Sequence, residues 1–137
     1  NIVLPSDAIT ARTVSAHAKT RTKPVDALEP GDIGLDVGPK TVEDLKRRVS
    51  KAKTILWNGP LGLFELKAFA KASNATARAL SSSKAKTIIG GGDTVAVIDN
   101  LRLSKRYDHV STGGGAMLAY LEHGTLPGID AVRNAKK

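Results

Sequence analysis

Three short β-branched runs each lead into a glycine-containing turn and then into a helix-forming stretch, and this alternation constrains the fold more than any other feature of the chain. The runs are residues 54–57, residues 87–89 and His109–Ser111. The turns that follow are Asn58-Gly59-Pro60-Leu61-Gly62-Leu63-Phe64-Glu65, Gly90-Gly91-Gly92-Asp93-Thr94 and Ser111-Thr112-Gly113-Gly114-Gly115-Ala116. Apolar strands alternating with helices belong in a parallel sheet covered on both faces. Residues 2–4 read as another strand, at a sheet edge, and a chain that opens inside an element reads as a fragment of something longer. At 137 residues there is room for one core and one domain.

The helical stretches have their own signals. The first follows Pro39, with Thr41 as its cap, Asp44 three residues on as an approximate capping box, and Val42, Leu45 and Val49 on one face. The acids Glu43 and Asp44 precede Lys46, Arg47 and Arg48, as the helix dipole prefers. A second helix is expected over 65–80, with Leu66, Phe69, Ala70, Ala77 and Leu80 as its buried stripe. A third should follow Thr94, and a fourth should run from Ala116 to a stop at Gly124. Residues 12–32 lack periodicity and read as a loop with room for one helical turn, and residues 133–137 read as a frayed basic tail. No internal repeat is found.

In a parallel sheet the carboxyl ends of the strands share one edge, and ligands bind along it. The three turns should therefore meet in space. Glycine lets backbone N–H groups approach an anion, and a helix starting directly after the turn adds its positive end. Asp93 offers a carboxylate to magnesium, a cation that prefers oxygen ligands and nucleotide phosphates. Thr94 offers a hydroxyl to a phosphate, and Glu65 an acceptor for ribose hydroxyls. Neither the G-x-x-x-x-G-K-[ST] loop nor the G-x-G-x-x-G fingerprint is present.

Other chemistry is poorly supported. The chain has no cysteine, which removes disulfides, thiolate metal sites and cysteine nucleophiles. His17, His109 and His123 share no metal-ligand spacing, Trp57 reads as core rather than as an adenine stack, and Ser111 has no evident base partner. The net charge of +8 is spread along the chain, and its densest stretch, residues 46–53, reads as a solvated helix face. The few aromatics do not interleave with the basic residues, so nucleic-acid binding has little support. No segment approaches the about 20 apolar residues that span a bilayer, and residues 1–7 lack the pattern of a signal peptide.

Taken in order, the segments Trp57-Asn58-Gly59-Pro60-x-Gly62-x-Phe64-Glu65, Thr87-Ile88-Ile89-Gly90-Gly91-Gly92-Asp93-Thr94 and His109-Val110-Ser111-Thr112-Gly113-Gly114-Gly115-Ala116 resemble phosphoglycerate kinase. Ile2-Val3-Leu4-Pro5, Gly34-Leu35-Asp36-x-Gly38-Pro39 and Leu126-Pro127-Gly128-Ile129 extend the resemblance over nearly the whole chain. It implies part of that family's C-terminal nucleotide-binding domain, a Rossmann-like α/β/α fold with about four of its six parallel strands. It also implies phosphoryl transfer between 1,3-bisphosphoglycerate and Mg-ADP, giving 3-phosphoglycerate and Mg-ATP in glycolysis. Carried over by position, Gly34, Leu35 and Leu63 would border the adenine and Glu65 the ribose. Asn58, Gly59 and Pro60 would lie along the nucleotide, with Gly92 in the next turn. Asp93 would engage Mg2+ and Thr94 a phosphate, while Gly113, Gly114 and Gly115 would present a helix N-terminus to the transferring phosphoryl group.

The family's N-terminal domain, with its phosphoglycerate site and catalytic arginine, has no counterpart in these residues. Nor have the nucleotide-binding lysines at the start of the C-terminal domain. The resemblance thus implies an ADP/ATP-binding half that is inactive alone and reaches 3-phosphoglycerate only through the N-terminal domain. The expected setting is a cytoplasmic enzyme (organellar members share the motifs), monomeric at full length, without nucleic-acid or membrane partners. A sheet deprived of its internal strands should be poorly stable or show residues 2–4 detached. A non-catalytic association module and a basic nucleic-acid binder remain as rival readings.

Overall fold

The computed structural model describes residues 1–135. It contains two three-stranded sheets and five α-helices among the described residues. The first sheet is antiparallel, in the order β2-β1-β3, from β1 (Asp7–Ala11), β2 (Arg21–Pro24) and β3 (Ile33–Val37). The second is parallel, in the order β4-β5-β6, from β4 (Thr54–Asn58), β5 (Lys86–Gly90) and β6 (His109–Ser111). The helices are α1 (Pro39–Lys51), α2 (Lys71–Ser81), α3 (Gly92–Asn100), α4 (Gly114–His123) and α5 (Pro127–Asn134).

The parallel sheet forms from the three runs that announced it. Its register sets Asn58 beside Gly90 and Gly90 beside Ser111, so the three strand ends coincide. Alternation along the strands sends Ile55, Trp57, Ile89 and Val110 to one face, where they pack with Val49 of α1, Ala77 and Leu80 of α2, and Val97 and Ile98 of α3. Tyr107 closes this core, its hydroxyl donating to the Ala77 carbonyl at 2.9 Å. Helix α4 covers part of the opposite face, with Met117 lying against Gly90. The result is the expected helix–sheet–helix layering.

The strand expected at residues 2–4 is not present. Ile2 and Leu4 are 91% and 79% exposed, and no ladder includes them. An isolated extended segment gains nothing from leaving water without a neighbour to satisfy its backbone. The loop expected over 12–32 contains β2, a short partner for β1 with register Asp7↔Pro24 to Thr10↔Arg21. From within it, Lys23 Nζ reaches Asp32 at 2.6 Å and Glu29 at 3.0 Å, which pins the turn leading into β3. These ionic partners lie six to nine residues apart in a segment without periodicity, so hydropathy patterning could not reveal them.

Helix boundaries also moved for identifiable reasons. Gly38, not Thr41, is the N-cap of α1, and no side chain of its own caps the helix. The acceptor arrives from β1, where the Asp7 carboxylate takes the N–H groups of Lys40 at 3.0 Å and Thr41 at 2.8 Å. Asp44 is left to pair with Arg47 and Arg48 on the exposed face. The second helix begins at Lys71 rather than at 65, after a 3-10 turn at Lys67–Phe69. The earlier segment is tied to β3 by the Leu63 N–H on the Leu35 carbonyl at 2.8 Å. Helix α4 ends at Gly124 in the left-handed conformation, as expected. Arg133 and Asn134 of the expected tail complete α5, while residues 136 and 137 lie outside the described residues.

Candidate functional site

The three glycine turns meet at the carboxyl edge of the parallel sheet. Gly91 donates its N–H to the Ser111 carbonyl at 3.0 Å, joining the second turn to the third. Gly59 donates its N–H to Thr94 Oγ1 at 2.7 Å, joining the first to the second. Asn58 Oδ1 sits between Gly91 and Gly114, where a Cβ on either glycine would stand 2.7 Å from it. At Gly114 such a Cβ would also lie 2.7 Å from Gly91 Cα. Contacts this close require glycine on both sides.

Gly59 and Gly91 have a second reason to be glycine. Their φ angles are 103° and 90°, a region that side-chain-bearing residues rarely enter. Both backbone groups of Gly59 are engaged, because its carbonyl accepts the Trp57 indole N–H at 2.7 Å. Trp57 therefore belongs to the core and also shapes the turn above it.

Beside this edge lies an open cleft of about 580 Å³, within the roughly 300–1,000 Å³ of small-molecule sites. One wall is Gly34, Leu35 and Asp36 of β3, and the other is Pro60, Gly62, Leu63 and Glu65, with Asp93 also on the lining. Of the residues singled out from the sequence, Gly34, Leu35, Pro60, Leu63, Glu65 and Asp93 line this cleft. Asn58 and Gly59 sit on the adjoining rim, and Gly92 is exposed at the start of α3. Of Gly113, Gly114 and Gly115, it is Gly114 that meets the rim, against Asn58 and Gly91. Gly113 borders a different, apolar groove of about 400 Å³ with Leu56, Ile88, Met117 and Leu121. Thr94 is fully buried, so in this arrangement it touches the site through Gly59.

The chemistry of the rim suits an anion. Helices α3 and α4 both start there, and their first N–H groups have no intrahelical acceptors. Asp93 stands exposed in the first turn of α3. Among the described residues, no three His, Cys, Asp or Glu side chains gather as a metal cage. A single exposed carboxylate on the cleft fits only a magnesium ion that keeps its waters and phosphate oxygens as its other ligands.

Sequence reading missed two acids that build this region. Asp36 is buried beneath the cleft, with Val37 N–H on its Oδ1 at 2.9 Å and Ala72 N–H on its Oδ2 at 3.0 Å. Burial dominates and pushes its pKa up, although the N–H groups of Ala72, Val37 and Lys71 pull the other way. At Asp7 burial also opposes ionisation, but the Thr41 hydroxyl, the Thr41 and Lys40 N–H groups and the Lys40 charge together hold the pKa below the ordinary value. Both acids cap helices through N–H groups 33 to 36 residues away, and no local sequence signal marks such a partner.

The family model for phosphoglycerate kinase matches residues 1–124. The chain is 48% identical over 128 residues to the phosphoglycerate kinase of Rubrobacter xylanophilus, covering 93% of this chain and 33% of that protein. It is also 48% identical over 136 residues to that of Chlorobaculum tepidum, covering 97% of this chain and 34% of the relative. The solved structure of phosphoglycerate kinase from Coxiella burnetii superposes with a TM-score of 0.87 at 43% identity, over 93% of this chain and 33% of that one. The structure from Pyrococcus horikoshii superposes at 0.71 and 28% identity, over 85% of this chain and 28% of that one. The chain thus spans about a third of the length of the relatives it matches, and over that third it belongs to the phosphoglycerate kinase family.

Proposed function

We propose that this chain supplies the ADP/ATP-binding half of a phosphoglycerate kinase, as part of its C-terminal nucleotide-binding domain. In the full reaction a phosphoryl group passes between 1,3-bisphosphoglycerate and Mg-ADP. The observation that carries the reading is the convergence of the Asn58, Asp93 and Gly113 turns on one rim, beside a cleft lined by Gly34, Leu35, Leu63 and Glu65.

The division of labour follows the geometry. The apolar part of the cleft takes the adenine against Leu35 and Leu63, and the exposed Glu65 carboxylate accepts from the ribose hydroxyls. The diphosphate then extends toward Asp93, whose carboxylate would hold the accompanying magnesium. The N-termini of α3 and α4 face the charge of the transferring group. Such a transfer needs mostly positioning and charge stabilisation, which backbone N–H groups and helix ends provide. The phosphoglycerate end would be held by a part of the enzyme outside these residues, so the chain alone should bind nucleotide without turning over. A glycolytic, cytoplasmic setting goes with this reading.

Titration calorimetry with Mg-ADP is the direct test. Binding is expected, and Asp93→Ala should weaken it severalfold without changing the fold, because Asp93 is exposed. Absence of binding, even after the remaining two thirds of a homologous enzyme is supplied in trans, would sink the reading.

One observation favours a second reading, a non-catalytic association module. The apolar groove beside α4 leaves Leu56, Tyr120 and Leu121 exposed, with Leu121 at 61%. Stable self-association that Mg-ADP neither promotes nor dissolves, measured by sedimentation, would support the second reading over the first.

A further inference from the structure

The cleft is only as well defined as the spacing between its two walls, and those walls come from distant parts of the chain. One is β3 and the other is the loop 60–65 leading toward α2. Two links join them directly. The Leu63 N–H donates to the Leu35 carbonyl at 2.8 Å. The second link is the Asp36 carboxylate, which Gly62 approaches so closely that a Cβ there would collide with Asp36 and with the Phe69 carbonyl.

The position of Asp36 has a local cause. The β1–β3 register slips between Ile9 and Thr10, so Ile9 pairs with Asp36 while Thr10 pairs with Gly34. Leu35 is the extra residue of this bulge. A regular strand sends neighbours to opposite faces, but a bulge re-aims one of them. Here Leu35 and Asp36 are both buried, at 8% and 4% exposure. The bulge thus brings a carboxylate into the protein next to an apolar cleft wall, where an ion is costly unless its oxygens are occupied. Both oxygens are occupied, one by the Val37 N–H and the other by the Ala72 N–H at the start of α2.

We propose that Asp36 is a positioning residue for the nucleoside end of the cleft: by gripping α2 and seating Gly62 it fixes the distance between the Leu35 and Leu63 walls. This inference rests on the nucleotide reading above and goes beyond it by naming what sets the width of the base-binding slot. The carboxylate does not touch the nucleotide. It acts on the base and ribose through Gly62 and Leu63. The phosphate end, at Asp93 and the glycine turns, is held by separate contacts among Gly59, Thr94, Gly91 and Ser111.

That separation supplies the test. Asp36→Asn keeps the size but has one acceptor oxygen where two N–H groups need one each. The variant should stay folded by circular dichroism. Its affinity for Mg-ADP and for adenosine should fall about tenfold, equivalent to ~1.4 kcal/mol, while binding of Mg-pyrophosphate is unchanged. Equal losses for all three ligands would overturn the proposal, as would no loss for adenosine. If Asp36→Asn does not fold, Gly62→Ala, which pushes on the same carboxylate from the loop, should give the same selective loss, and its failure to do so is equally decisive. Should the unaltered chain bind no ADP, the nucleotide reading fails by itself. The proposal is then judged by amide exchange in whichever variant folds. Faster exchange at Leu63 and Ala72 than in the unaltered chain would sustain the wall-spacing role, and unchanged exchange would overturn it.

Discussion

At the scale of single residues, the two buried acids respond to pH in opposite ways. The folded-state pKa of Asp7 lies below its ordinary 3.8, so its contribution is complete above that value and disappears as pH falls through the lower folded one. The folded-state pKa of Asp36 lies above 3.8, so the folded chain takes up that proton more readily and this site loses stability as pH rises through the raised value. Asp7→Asn removes one acceptor from the start of α1 and should cost about 1 kcal/mol at neutral pH. It should also flatten the acid limb of a plot of urea-unfolding stability against pH. An unchanged acid limb would mean that Asp7 does not carry that dependence. Thr94→Val is nearly isosteric but leaves the half-buried Gly59 N–H without its acceptor, at a cost of about 1 kcal/mol. Thr94→Ser keeps the oxygen and should recover most of that loss, as read by thermal melting.

At the scale of elements, the turns matter more than the strands they end. A strand of the parallel sheet tolerates exchange among β-branched residues, because its demand is to fill a pleated, buried surface. The turns allow no such exchange. Gly114→Ala would drive a methyl group into Asn58 and Gly91, forcing the N-terminus of α4 away from the rim. Gly59→Ala meets no neighbouring atom but forces alanine to φ near 103°, at a cost of about 1–2 kcal/mol. The two variants should therefore differ. Gly59→Ala should lower the melting temperature with modest effect on Mg-ADP affinity. Gly114→Ala should weaken phosphate-end binding more than it lowers stability, a contrast that calorimetry and melting curves together would reveal.

At the scale of the whole molecule, protection should follow the sheet topology. Strand β5 is central, flanked on both sides and backed by the core of α2 and α3, so its amides should exchange slowest. Residues 2–4 have no ladder and should exchange near the rate of an open chain. Uniform slow exchange from residue 2 through β5 would contradict this ordering and the expectation of a marginal isolated fold. The +8 charge carries a further consequence. Nucleotide binding at the rim should weaken with added salt, since a polyanion approaches a positive molecule and loses that help as screening rises.

Local patterning was enough to locate β4, β5 and β6, because each short run with β-branched residues ends where glycine permits a helix to start at once. From those strands came the rim and the glycine turns, since parallel strands cannot help bringing their carboxyl ends together. The antiparallel sheet was not legible: β2 is Arg-Thr-Lys-Pro, a polar edge strand whose only reason to extend is its partner β1. The true caps of α1 and α2, the bulge that buries Asp36 and the second wall of the cleft depend on pairs more than 20 residues apart. Hydrogen bonds of that separation exist only after the chain has closed on itself, and so tertiary structure alone decided them.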